Sequence, residues 1–145
     1  MTSTNNKNNI YIDTNVLIGA FAPDKRFEAE KKCWQYVCSL SGKRVFVSSL
    51  SVAQLVSTFQ KRKLKKDDIV VNVKRILSKV TVVDFTGKDI TDSLSIDGRD
   101  LEDNMQCAVS RKVKCGILIT QNKKDYINYL NVDILTAKEC RSINQ

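Results

Sequence analysis

The chain has 145 residues, enough for one domain with a substantial core, and its 42% hydrophobic and 28% charged residues are the balance of a globular protein. Twenty-four Lys and Arg against 16 Asp and Glu give a net charge of +8, which points to a polyanionic partner, nucleic acid before membrane. There is no histidine, so Ser-His-Asp and Cys-His catalysis, imidazole-bound zinc and histidine acid–base chemistry are excluded.

In chain order, residues 1–9, "MTSTNNKNN", read as a disordered polar lead-in without the apolar segment of a signal peptide. Residues 10–145 read as a single domain. Ile10–Asp13 is a strand, and Thr14–Phe21 a short helix stopped near Pro23. Over residues 25–40, Phe27, Cys33, Trp34, Val37 and Cys38 share a helical face, and Trp34 reads as core. "RVFVSS" is a second strand. A helix over residues 49–62 then runs into the basic stretch Lys61, Arg62, Lys63, Lys65 and Lys66. Ile69, Val70, Val73, Ile76 and Leu77 keep helical period, and "VTVVDF" gives a third strand. A weaker helix covers residues 87–96, and a strong one Asp100–Val113 buries Leu101, Met105, Ala108 and Val109. "GILIT", "KKDYINYL" and "VDIL" follow as strand, short helix and strand, before a helical tail. Strands alternating with helices imply a three-layer α/β/α domain on a mostly parallel sheet of about five strands. Five cysteines without a CxxC pair, an odd count, read as free thiols in a reducing cytoplasm. No apolar run reaches the ~18 residues of a membrane span, so a soluble cytoplasmic protein is expected.

Ligands of open parallel sheets bind outside the carboxyl ends of the strands. Asp13 ends the first strand, Asp125 follows the fourth, and Asp103 opens the helix leading into the fourth. These three carboxylates project toward one sheet edge, where Glu102 and Asp100 can join them. Like charges so placed raise one another's pKa unless a hard divalent cation intervenes. Metal-activated water beside a phosphodiester, in a basic surround, would give nuclease chemistry. Helix capping accounts for the same residues individually: Asp100 as N-cap with Asp103 in its first turn, Asn122 with Asp125, and Asp13 on the helix after it. The two roles are compatible.

"IYIDTNVLI" resembles the opening signature of PIN domains, and "DLEDNMQCAVSRKVKCGILITQNKKDY" resembles the closing half of the group that includes VapC-type toxins. The resemblance implies a Mg²⁺- or Mn²⁺-dependent endoribonuclease that leaves a 5′-phosphate and a 3′-hydroxyl. It makes Asp13, Asp103 and Asp125 the catalytic metal-binding acids, with Glu102 in a second tier. It also implies that Asn15 orients Asp13, that Thr120 and Asn122 shape the site, and that the chain is a homodimeric toxin with an antitoxin partner. Two departures matter. Gln54 stands where many PIN domains carry a glutamate, and Asn122 where many carry an aspartate, which favours one metal over two. Arg99, Lys123 and Lys124, close to the acids, are the expected RNA phosphate contacts. Tyr126 and Tyr129 read as core or as base-stacking residues. A degenerate PIN domain that binds RNA or protein without cutting remains open. A receiver-type Mg²⁺ domain is a more distant alternative, with no place for the "ED…ITxNKKD" block.

Overall fold

A computed structural model describes residues 5–98, 100–126, 129 and 131–144. Five strands, β1 (Asn6–Ile12), β2 (Arg44–Ser48), β3 (Thr81–Val83), β4 (Cys115–Ile119) and β5 (Asp133–Leu135), form one sheet in the order β3-β2-β1-β4-β5. Every pairing is parallel. The connections carry α1 (Thr14–Phe21), α2 (Glu28–Ser39), α3 (Ser49–Lys61), α4 (Lys66–Lys79), α5 (Gly87–Ser93) and α6 (Leu101–Lys112).

Alternation along the central strands explains the three layers. Ile10 and Ile12 of β1, with Ile117 and Ile119 of β4, belong to one apolar cluster shared with α1–α4. Tyr11 and Leu118, between them in sequence, belong to a second cluster with Cys107 and Val109 of α6. Both faces are covered, so these strands read as continuous apolar runs. β1 and β4 pair with a register irregularity between Asn6 and Ile10, and Gly116 sits there. A Cβ on Gly116 would come within 2.6 Å of the Lys7 amide nitrogen, so only glycine lets the strands close.

Several expectations are corrected. β1 begins at Asn6, so residues 6–9 belong to the sheet although their side chains are mostly exposed. Backbone pairing, which composition does not reveal, holds them: the Asn6 N–H donates to the Lys114 carbonyl at 2.9 Å. Cys33 and Cys140 are joined by a disulfide with Cα atoms 5.6 Å apart, leaving Cys38, Cys107 and Cys115 as free thiols. The link arises because α2 packs on the closing 3₁₀ segment Ala137–Ser142, a contact between residues 107 positions apart. α4 buries Ile69 and Ile76, while Val70 and Leu77 face outward. Leu101, expected in the core, is 58% exposed, because it sits on the open first turn of α6. "KKDYINYL" is a 3₁₀ turn over Lys123–Tyr126, and residues 127, 128 and 130 lie outside the described residues. No helix among the described residues is long and apolar enough to cross a membrane.

Candidate active site at the carboxyl edge of the sheet

Asp13 follows β1 and caps α1, its Oδ1 accepting the Thr14 N–H at 2.8 Å. Capping uses one oxygen. Oδ2 accepts the Thr120 hydroxyl at 2.7 Å and the Tyr126 hydroxyl at 3.3 Å. Thr120, directly after β4, is held in turn by the Asn122 N–H at 3.0 Å. Asp13 is 3% exposed, and burial raises its pKa against the lowering effect of the Thr120, Thr14 and Tyr126 donors. The side chain is therefore fixed in direction before any ligand arrives.

Asp103 lies in the first turn of α6, whose N-cap Asp100 accepts the Asp103 N–H at 3.0 Å. The return bond of a capping box is not made among the described residues. Instead Asp103 Oδ2 is buried with no partner. Burial, the neighbouring Asp125 carboxyl and the Asp13 and Asp100 charges push Asp103 up to about 8. No ion pair among the described residues engages Asp13, Asp103 or Asp125.

A polar network underlies these acids. The Tyr11 hydroxyl donates to Gln106 Oε1. Gln106 Nε2 donates to Thr14 Oγ1 at 2.9 Å and Ser51 Oγ at 3.0 Å. The Thr14 hydroxyl donates to Gln54 Oε1 at 2.9 Å. Above the network opens a cleft of about 250 Å³ lined by Asp13, Asn15, Glu102 and Asp103 on one side.

A PIN-domain model matches residues 9–124, four-fifths of the chain. The chain belongs to the PIN-domain family. The match takes in Asp13, Asp103, Thr120 and Asn122 and ends one residue before Asp125. No curated protein matches the sequence. Solved structures share the PIN fold at low identity. Mycobacterium tuberculosis VapC20, a sarcin–ricin loop cleaving toxin, superposes with a TM-score of 0.58 at 20% identity, over 75% of this chain and 86% of that one. A toxin–antitoxin complex from Klebsiella pneumoniae gives 0.65 at 17%, over 88% and 97%. Rickettsia felis VapBC2, bound to a DNA fragment from its promoter, gives 0.61 at 17%, over 88% and 98%.

Within this PIN domain the expected site residues separate. Asp13, Asp103, Glu102 and Asn15 line the cleft. Asn15 is not among the groups that orient Asp13; Thr14, Thr120 and Tyr126 do that. Thr120 is buried behind the acid, and Asn122 contributes its backbone N–H. Asp125 touches the site through Asp103 but lines a smaller recess, about 100 Å³, with Tyr126 and Arg111. Its N–H donates to the Asn122 carbonyl, so the Asn122 side chain is not what receives it. Lys123 pairs with Glu139 at 3.1 Å, Lys124 is exposed, and Arg99 lies outside the described residues. Tyr126, expected in the core or stacking on bases, is both buried and a donor to Asp13. The roles of Tyr126, Gln106, Thr14 and Ser51 are not legible in the sequence, although "NKKDY" and "EDNMQ" carry two of them.

The donor set suits a hard cation. Among the described residues no three His, Cys, Asp or Glu groups converge as a ready cage. Mg²⁺ and its analogues need only one or two direct carboxylates and keep their waters. An unpartnered, buried Asp103 oxygen beside a fixed Asp13 meets that need.

Proposed function

We propose that this PIN domain is a Mg²⁺- or Mn²⁺-dependent endoribonuclease, the toxin of a toxin–antitoxin pair. The observation that carries the reading is Asp103 Oδ2, buried without a hydrogen-bond partner beside Asp13 at the mouth of a cleft. An uncompensated buried carboxylate costs stability, so its retention makes sense where a cation completes it. Asp13 and Asp103 would hold one ion, with Asp125 and Glu102 bridging through water. When bound, such an ion supplies a nucleophilic water near neutral pH and stabilises charge on phosphorus. Thr120 and Tyr126 keep Asp13 aimed as an acceptor, and the Asn122 amide keeps Thr120 in place. The +8 charge of the chain favours an RNA substrate. The antitoxin partner is supported by the toxin–antitoxin complexes that share the fold; a homodimer in the cytoplasm completes the reading.

The test is cleavage of a labelled single-stranded RNA pool with EDTA, Mg²⁺ or Mn²⁺, beside an Asp13→Asn protein of verified fold. Metal-dependent cutting that disappears in Asp13→Asn is expected. Gln54 in place of a carboxylate favours the second reading, a PIN domain that binds without cutting. Calorimetric Mn²⁺ titration separates the two, since a chain that takes up no metal is not the enzyme proposed.

A further inference from the structure

The cleft has a second wall with the opposite chemistry. Gln54, Ser57, Thr58 and Lys61 line it from α3, at the i, i+3, i+4, i+7 spacing of one helical face. No acidic residue occurs anywhere in α3, "SLSVAQLVSTFQK". The acids Asp13, Glu102 and Asp103 come from the β1–α1 junction and from α6.

The buried network sets how Gln54 presents itself. Thr14 Oγ1 accepts from Gln106 Nε2, lies 2.7 Å from Ser51 Oγ, and donates to Gln54 Oε1 at 2.9 Å. The Gln54 carbonyl oxygen is thereby committed inward. Its Nε2 is left on the cleft side, with no partner among the described residues. A glutamate at this position would give the cleft an acceptor for a cation; the glutamine gives it two N–H donors. Beside it stand the Ser57 and Thr58 hydroxyls and, one turn on, the Lys61 ammonium.

We infer that this α3 face binds non-bridging phosphate oxygens of single-stranded RNA, with Gln54 as a substrate-binding donor and not a metal ligand. The inference rests on the ribonuclease reading for its substrate class. It divides the labour across the cleft: the acids hold the cation, and α3 holds the backbone carried to it. Contacts of this kind fix position without reading sequence.

The experiment measures anisotropy of a fluorescent single-stranded RNA in EDTA across a salt series, where binding is read without cleavage. Lys61→Met should reduce the log K against log salt slope by about 0.7, the value of one lost single-strand phosphate contact. Lys43→Met, which removes the same charge just before β2 at the opposite sheet edge, should leave the slope unchanged. Gln54→Met should weaken binding about two- to tenfold at every salt concentration while leaving Mn²⁺ affinity as in the parent. Ser57→Ala, an exposed change, supplies a smaller loss of the same kind should Gln54→Met fail to fold. An unchanged slope in Lys61→Met, or a Gln54→Met protein that loses Mn²⁺ but not RNA, overturns the inference. Parent protein that cuts RNA while these variants bind as it does leaves the nuclease standing and this wall refuted. Parent protein that binds RNA through the wall but cuts nothing upholds the wall and refutes the nuclease.

Discussion

Two buried aspartates at opposite ends of α6, Asp89 of α5 and Asp103 of α6 itself, are treated by the fold in opposite ways. At its C-terminal end Lys112 reaches Asp89 of α5 at 2.6 Å, and the Thr86 N–H adds a second contact at 2.9 Å. Burial alone would raise the Asp89 pKa, but Lys112 and Thr86 outweigh it and hold the carboxyl below its usual range. At the N-terminal end Asp103 is similarly buried, with a helix dipole in its favour, yet its pKa moves the other way. The residue type is the same, and each sits in the first turn of its helix. What differs is a cation: among the described residues one is supplied for Asp89 and none for Asp103. On the proposed function, the carboxylate kept for structure is neutralised from within, and the one kept for chemistry takes its countercharge from outside.

The sharpest way to break this contrast is Asp103→Asn. Cleavage should fall about a hundredfold or more, as expected when a metal-holding carboxylate is lost. Above about pH 8, where Asp103 is ionised, the metal-free protein should nonetheless melt higher than the parent, because the repelling charge has gone; a lower melting temperature there would refute the contrast. Thr120→Val removes a donor to Asp13 and should weaken Mn²⁺ about ten- to a hundredfold by calorimetry. Lys112→Met should do the reverse of Asp103→Asn, costing about 2 kcal/mol in denaturant unfolding with activity per folded molecule retained. That figure is moderate because the Lys112 side chain is 38% exposed. The last effect is that of pH. Asp103 binds its proton more tightly folded than unfolded, so stability is full below the unfolded value of 3.8 and is lost as pH rises toward about 8. Metal-free protein should lose stability progressively over that window. Saturating Mn²⁺ should flatten the curve.

Sequence patterning reaches the sheet and two of its acids because both leave local marks. Apolar strands alternating with helical periods name the layers, and Asp13 and Asp103 stand at strand and helix ends where topology dictates their edge. The remainder is written in contacts between distant residues. Nothing local to Tyr126 says that its hydroxyl meets a carboxylate 113 positions away, and nothing in "CWQYVC" says that Cys33 meets Cys140. Asn6–Asn9 look unlike a strand because they bring backbone and polar side chains, not apolar ones, to the sheet. Gln54 is visible as a departure from the family pattern, but the direction of its amide depends on Tyr11, Gln106 and Thr14 acting in series.

The strand order has a consequence for how such a protein comes into being. β1 lies at the centre of the sheet, and its partner β4 begins more than a hundred residues later, at Cys115. As the ribosome extends the chain, Asp13 emerges more than a hundred residues ahead of Thr120 and Tyr126, which fix it. A nascent chain therefore carries its acids without their geometry. On the proposed function, an enzyme that cuts RNA is made on RNA, and this order of assembly withholds its site geometry from the early nascent chain.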